Sequence, residues 1–249
     1  VSMLLVAMVL TIEGEPTPKG AQGFLYRLLK KEFPQVHDQG ENPFSLALGK
    51  GWVRFGFLKE EVYARLAPPL FALEGQKVRM GEEVRVLEAF QEGHPWAGVS
   101  IYARLFQKEA GPDLTLRFAR PTFFRREGVN YPLPEARLVF GSLIRRFNAF
   151  SPVPVPEEVA KGILEKVTVR SFSGKTLPAP AEEKAAGFVG VVSYHLHRGS
   201  LEEAQYFQAL GRFAFFSGVG ARTSLGAGLA RPVYAKSLEP QAEGANETA

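Results

Sequence analysis

The chain of 249 residues contains no cysteine. Without thiols it forms no disulfide framework, no thiolate zinc site and no iron–sulfur cluster, and it has no cysteine nucleophile. Long hydrophobic runs are also absent, because the apolar start, Val1 to Leu10, is interrupted at Glu13 and has no basic residues before it. That run is too short and wrongly flanked for a signal peptide or a membrane span. We therefore expect an initial β-strand in a cytoplasmic protein without membrane contact.

The net charge of +4 is unevenly distributed along the chain. Residues 1–111 carry 13 Lys and Arg against 13 Asp and Glu, whereas residues 112–235 carry 16 against 10, an excess of six positive charges. Arginine dominates that excess, and its planar guanidinium suits phosphate better than the lysine ammonium does. On composition alone, solvated surface charge is the better explanation, and a nucleic-acid partner is the alternative.

Apolar periodicity predicts the same order of elements in both halves. In the first half these are Met3–Glu13, Gly20–Phe33, Phe44–Leu48, Trp52–Leu58, Lys59–Leu70 and Val78–Phe90. In the second half they are Leu114–Phe118, Pro134–Phe150, Val167–Phe172, Phe188–Leu196, Leu201–Phe216 and Gly228–Tyr234. Strand–helix–strand–strand–helix–strand, twice, predicts an α+β fold of two tandem ferredoxin-like (RRM-like) domains. We expect domains over 1–111 and 112–235 and a disordered polar tail over 236–249.

A glycine-rich segment, Ser217–Gly228, follows the last predicted helix and precedes the last strand. Its candidate contact residues are two Gly-x-Gly pairs and the polar residues between them: Gly218, Gly220, Arg222, Thr223, Ser224, Gly226 and Gly228. Glycines allow positive φ, and the amides they free can face phosphate oxygens. A P-loop or a dinucleotide fingerprint runs from strand to helix, so neither fits. The segment predicts an anion-binding loop, with a glycine-rich helix cap and a wide turn as the alternative.

This motif resembles the glycine-rich motif of CRISPR-associated repeat-processing endoribonucleases of the RAMP superfamily. Four further segments look like the thermophilic bacterial branch of these nucleases: Gln39–Phe44, His94–Ser100, Pro121–Arg125 and Gly211–Ser217. The resemblance implies an enzyme that cuts the repeat RNA of precursor transcripts into guide RNAs, with no metal and no other cofactor. It also implies attack by a ribose 2′-hydroxyl, which leaves a 2′,3′-cyclic phosphate and a 5′-hydroxyl.

Histidine suits the two proton transfers of such a reaction, because its pKa lies near neutrality. His37 follows the first predicted helix, where the resembling enzymes often carry their catalytic histidine. Tyr26 on that helix is the second catalytic candidate, with a core role as the alternative because its helical neighbours are apolar. Some relatives add a lysine six residues after the histidine, but Pro43 stands there in this chain. The cation that stabilises the scissile phosphate is therefore unassigned, with Arg222 and Arg27 as candidates.

The other three histidines have different expected roles. We interpret His94 as structural, because it precedes Pro95 and Trp96. His195 and His197 share one face of a strand, as a metal site would require, but the chain has no cysteine and no third ligand lies near them in sequence. We therefore interpret them as sheet-surface or RNA-facing residues.

The expected partner is a CRISPR repeat RNA that forms a stem-loop, held by the basic second half. Candidate phosphate contacts are Arg125, Arg126, Arg145, Arg146, Arg170 and Lys175. A long hairpin over Val169–Gly187 would lie beside the RNA stem, since A-form RNA is recognised by shape and backbone. The resemblance also allows a homodimer and an association with an interference complex. Two alternatives stay open: a RAMP-type subunit that holds guide RNA without cutting it, and a small-molecule enzyme on a ferredoxin-like scaffold.

Overall fold

The first half of the chain forms an antiparallel sheet covered by two helices. A computed structural model describes residues 3–32 and 41–234. The elements of this half are β1 (Leu4–Glu13), α1 (Pro18–Glu32), β2 (Phe44–Gly49), β3 (Trp52–Phe57), α2 (Glu60–Phe71), β4 (Lys77–Met80), β5 (Glu82–Phe90) and β6 (Gly98–Ile101). The strand order is β2-β3-β1-β5-β4, and β6 also pairs with β1. The sequence-based positions of the first two strands and both helices are confirmed within a few residues.

The second half repeats this arrangement. Its elements are β7 (Asp113–Thr122), β8 (Phe124–Arg126), β9 (Val129–Tyr131), α3 (Ala136–Phe150), α4 (Glu157–Lys166), β10 (Val167–Pro178), β11 (Ala186–Leu196), α5 (Leu201–Ser217) and β12 (Ala230–Pro232). The strand order is β10-β11-β7-β12. In the first half β1 lies between β3 and β5, and in the second half β7 lies in the same way between β11 and β12. The fold is therefore α+β with two tandem ferredoxin-like domains, as predicted.

Four elements of the second half differ from expectation, because β8 and β9 form a short hairpin that is not predicted, α4 is additional and β10 is longer than expected. The segment after Pro156, for which the sequence analysis predicts no element, forms α4, whose first turn contains Glu157 and Glu158. Carboxylates at that end are favourable against the helix dipole. β10 extends through Pro178, and all of its residues after Val167 are exposed. Together β10 and β11 form the expected long hairpin. Within residues 3–32 and 41–234, none of the helices has the length and apolar character that crossing a membrane requires.

The two domains share a hydrophobic core. α5 lies against the second sheet and also contacts β1, β2 and β3 of the first. Phe213 and Phe216 of α5 belong to the same buried cluster as Leu5, Leu58 and Tyr102 of the first domain. The interface between the domains therefore resembles a domain interior more than a transient contact. The boundary at residues 111 and 112 remains our proposal for where the chain passes from one domain to the other.

The C-terminal end of α5 is held by side chains from both domains. Arg54 of β3 donates to the carbonyl of Phe215, and Ser45 of β2 donates to that of Phe216 at 2.5 Å. Arg146 of α3 donates to the carbonyl of Ser217 at 2.6 Å. The last carbonyls of a helix lack partners within it and carry partial negative charge, so guanidinium groups are suitable donors. Burial lowers the pKa of Arg54 to about 9, with repulsion from Arg231 as a second cause, so Arg54 stays protonated at neutral pH.

Candidate nucleic-acid interface

The glycine-rich loop is packed into the protein rather than held open to solvent. Its amides are directed inward: Gly220 donates to Ser142 Oγ at 3.1 Å, and Ala221 donates to the Phe123 carbonyl at 2.8 Å. Gly228 donates to the Pro121 carbonyl at 3.1 Å. The expectation that the loop presents its amides to phosphate is therefore wrong for these three amides. They tie the loop to α3, to the end of β7 and to the residue that follows β7.

Close backbone approach explains two of the glycines. Gly220 has φ +83°, and an added Cβ would lie 2.4 Å from the Phe123 carbonyl oxygen. Gly228 has φ +82°, and an added Cβ would lie 2.2 Å from the Val219 carbonyl oxygen. Any side chain would clash there in a backbone conformation that L-residues rarely adopt. Gly218 and Gly226 also have positive φ, and all four glycines are buried. The glycines thus shape the loop, and its side chains provide its exposed chemistry.

The three polar residues between the glycine pairs point in different directions. Arg222 has a left-handed backbone, φ +56°, and its side chain is exposed to solvent. Its guanidinium forms an ion pair with Glu182 at 3.3 Å. Thr223 and Ser224 are buried, and they face α3 and the first domain, respectively. Of these three, only Arg222 is placed to meet a ligand at the surface.

Arg146 is buried, which corrects the expectation that it contacts RNA. Only 2% of the residue is exposed. It donates to Thr223 Oγ1 and, besides the Ser217 carbonyl, to the Phe44 carbonyl at 3.3 Å. A fourth, longer contact reaches the Asn42 carbonyl at 3.5 Å. Burial lowers the pKa of Arg146 to about 10, so the guanidinium remains charged while it joins the glycine-rich loop to β2.

A polar cluster links the glycine-rich loop to α1. The Ser224 hydroxyl accepts from Asn42 Nδ2 at 3.0 Å and from Gln22 Nε2 at 3.2 Å. Asn42 Oδ1 accepts from the Tyr26 hydroxyl at 2.7 Å. Burial raises the pKa of Tyr26, while its bond to Asn42 lowers it, and the net result is a raised pKa. The phenol therefore keeps its proton at neutral pH, and in this structure it donates that proton in the hydrogen bond to Asn42.

His37 lies outside the described residues, between the end of α1 at Glu32 and Glu41. Tyr26 precedes the segment that contains His37, Asn42 follows it, and the structure brings these two residues into contact. Tyr26 of α1 and Asn42 meet each other and Ser224 of the glycine-rich loop. Sequence reasoning did not single out Asn42 or Gln22. The spacing of apolar residues predicts helices and strands, but it does not predict hydrogen bonds to a residue as distant along the chain as Ser224.

Most of the other predicted phosphate contacts are exposed and carry a carboxylate partner. Arg125 and Glu182 are 3.7 Å apart, and Arg126 and Glu135 are 3.5 Å apart. Arg145 pairs with Glu41 at 2.8 Å, and Arg170 pairs with Asp113 at 2.9 Å. Lys175 is exposed on β10. Such ion pairs are weak at a surface, so an RNA phosphate can replace the carboxylate.

The remaining histidines lie in two separate places. His94 packs edge-on against Trp52 and accepts from the Trp96 amide at 3.1 Å, which fits a structural role. His195 Nδ1 lies 2.7 Å from Asp113 Oδ1, and its ring is 6.3 Å from that of His197. In the part of the chain that the structure describes, no three His, Asp or Glu side chains form a group that could hold a metal ion.

The geometry and comparisons with known proteins define the family. A tandem ferredoxin-like fold that closes with two Gly-x-Gly pairs is the architecture expected for RAMP proteins. The family model of CRISPR-associated endoribonuclease Cas6 matches residues 116–230. A solved product complex of the Cas6 protein TTHA0078 is 58% identical, with a TM-score of 0.89, over 93% of this chain and 100% of that one. The chain therefore belongs to the Cas6 family of CRISPR-associated endoribonucleases.

Other relatives are consistent with this assignment. An H37A mutant of TTHA0078 has also been solved and is 56% identical over 93% of this chain and 100% of its own, with a TM-score of 0.87. Thermus thermophilus Cas6 (TTHB231) is 30% identical over 94% of this chain and 99% of its own, with a TM-score of 0.75. A Cas6 endoribonuclease of Mycobacterium tuberculosis is 29% identical over 84% of this chain and 69% of its own.

The neighbouring residues Arg145 and Arg146 allow a matched test of the buried hydrogen bonds of Arg146. Arg146→Met should lower the free energy of unfolding by about 2–4 kcal/mol, because buried carbonyls lose a charged donor. Arg145→Met removes the same charge from an exposed site and should cost less than about 1 kcal/mol. Urea denaturation of both variants measures the difference. Equal losses would contradict the assignment of Arg146 to the interior.

Proposed function

We propose that this chain cuts CRISPR repeat RNA in precursor transcripts to give guide RNAs, without a metal ion. The observation that carries the proposal is the 58% identity, over nearly the whole of both chains, to a Cas6 protein solved as a product complex. The excess of basic residues in the second domain supports RNA as the ligand. The expected ligand remains a repeat stem-loop.

The proposed reaction is an internal transfer at phosphorus. A base removes the proton of a ribose 2′-hydroxyl, and the oxygen attacks the adjacent phosphorus. The bond from phosphorus to the 5′-oxygen breaks, and an acid donates a proton to that oxygen. The products are a 2′,3′-cyclic phosphate and a 5′-hydroxyl. The reaction consumes no water and needs no oxidant, so its balance requires only proton transfers and stabilisation of charge on the phosphate.

We assign the proton transfers to His37 and Tyr26. Histidine titrates near neutral pH, and the replacement of a histidine in the H37A mutant of a relative supports this choice. Tyr26 carries its proton at neutral pH, as an ordinary phenol also does, so it can donate a proton to the 5′-oxygen. Burial raises its pKa further. A purely structural role of Tyr26, through its bond to Asn42 and its contact with Phe44, is the alternative.

RNA binding is assigned to exposed cations and to the shape of the glycine-rich loop. Arg222 is the better candidate for a cation near the scissile phosphate, because it is exposed and adjoins the Ser224–Asn42 contact. Arg27 instead donates to the Arg79 carbonyl at 3.1 Å. Arg125, Arg126, Arg145, Arg170 and Lys175 are exposed and remain proposed phosphate contacts. A homodimer and an association with an interference complex also remain proposals.

The direct test is incubation of the purified protein with its repeat RNA in excess EDTA. We expect a cut at one site, with a cyclic phosphate on one product and a 5′-hydroxyl on the other, identified by mass spectrometry. Specific binding without cutting would replace this proposal with a subunit that holds guide RNA. Cutting only after Mg²⁺ is restored would contradict the metal-independent mechanism.

The role of His37 has its own test in single-turnover cleavage at saturating protein. His37→Ala should lower the cleavage rate at least about 100-fold, because it removes a general base or acid. The dissociation constant for repeat RNA should change less than about threefold, since many arginine and lysine contacts to phosphate set the affinity and His37 is a single side chain. His197→Ala, an exposed histidine to which we assign no proton transfer, is the control. Equal cleavage rates in the two variants would remove His37 from the mechanism.

A further inference from the structure

The tip of the β10–β11 hairpin packs against the glycine-rich loop. Ala179 and Ala185 at the tip form a small buried cluster with Phe123 and with Ala227 of the loop. The Ala179 amide donates to the Ala185 carbonyl at 2.8 Å, which closes the tip. The tip is therefore a fixed part of the surface around the glycine-rich loop.

Glu182 of this tip lies between two arginines from different elements. Its Oε2 atom is 3.7 Å from Arg125 Nη2 and 3.3 Å from Arg222 Nε. Both distances exceed the roughly 2.7–2.9 Å of a charge-assisted hydrogen bond, and both arginines are about half exposed. One carboxylate thus meets two guanidiniums through a single oxygen, which leaves a positive charge uncompensated and both contacts weak.

The two arginines are held in place by parts of the fold other than Glu182. The Arg222 carbonyl accepts from Leu225 at 2.9 Å and from Ala227 at 3.2 Å, which fixes its left-handed conformation. The Ala221 amide bonds to the Phe123 carbonyl, two residues before Arg125. The glycine-rich loop and β8 therefore set the backbone positions from which both side chains extend, and the two guanidiniums meet at the Glu182 carboxylate.

We propose that Arg125 and Arg222 form a binding site for one RNA phosphate, and that Glu182 fills this site until RNA displaces it. A phosphate offers several acceptor oxygens and can hydrogen-bond both planar guanidiniums, whereas Glu182 reaches them with one oxygen. Every RNA that uses the site must first displace the carboxylate, so Glu182 weakens binding. This inference rests on the proposed function, because it requires that the protein binds RNA.

The test is the affinity of the full chain for repeat RNA as a function of salt. The probe is repeat RNA with 2′-fluoro groups, which keeps A-form geometry and lacks the attacking hydroxyl. Glu182→Gln should tighten binding by about threefold to fivefold at low salt. The slope of log K against log salt should steepen by up to about 0.7–0.9, because the two arginines then neutralise one RNA phosphate more fully and release its counterion.

Glu183→Gln is the matched control, since it removes the same charge from an exposed neighbour in the same tip that has no ion pair with the described residues. It should change affinity less than about twofold and leave the slope unchanged. Together, Arg125→Gln and Arg222→Gln should abolish the gain from Glu182→Gln. Equal effects of the two glutamate variants, or a gain that persists without both arginines, would overturn the inference.

These outcomes separate the inference from the function on which it rests. If the wild-type protein neither binds nor cuts repeat RNA, the proposed function and the phosphate site both fail. If the wild-type protein binds and cuts repeat RNA but Glu182→Gln behaves like Glu183→Gln, only the phosphate site fails.

Discussion

The remaining architecture depends on the hydrogen bonds that side chains from both domains donate to the last carbonyls of α5; we call this the capped end of α5. Three successive carbonyls there accept from Arg54, Ser45 and Arg146, which come from β3, β2 and α3. Both arginines are nearly fully buried, and a buried guanidinium without acceptors in place would be costly. Carbonyls at a helix C-terminus provide matching partial negative charge. The same contacts hold the two ferredoxin-like domains together and define where the glycine-rich loop begins.

The glycine-rich loop begins at the capped end of α5, so the position of that end also fixes the loop residues at the candidate RNA-binding site. Its glycines allow close backbone contact with Phe123, and the resulting path turns Ser224 toward Asn42 and the side chain of Arg222 toward solvent. The first domain thereby contributes Tyr26 and Asn42, and the second contributes the loop and the hairpin tip. A site built across two domains in this way needs a rigid interface, which the shared hydrophobic core provides.

Sequence reasoning recovered the elements whose burial follows a regular period, such as α1 and α3, and the duplicated order of strands. It placed Arg146 at the surface, although Arg146 shares the apolar helical face of Leu143 and Phe150, a spacing that indicates burial. The Asn42–Ser224 bond had no such signal, because it joins residues 182 positions apart. Glycine spacing identified the loop but not its inward amides, because the partners of those amides lie on α3, at the end of β7 and just beyond it. Resemblance to a family, rather than spacing, identified His37.

The central claim is that the capped end of α5 makes the two domains one cooperative unit. Equilibrium unfolding in urea, followed by tryptophan fluorescence and by far-UV circular dichroism, tests it most directly. Both tryptophans, Trp52 and Trp96, belong to the first domain, whereas circular dichroism reports the helices and strands of both. The account predicts one transition with the same midpoint for both signals. A fluorescence transition clearly separated from the circular dichroism transition would contradict it.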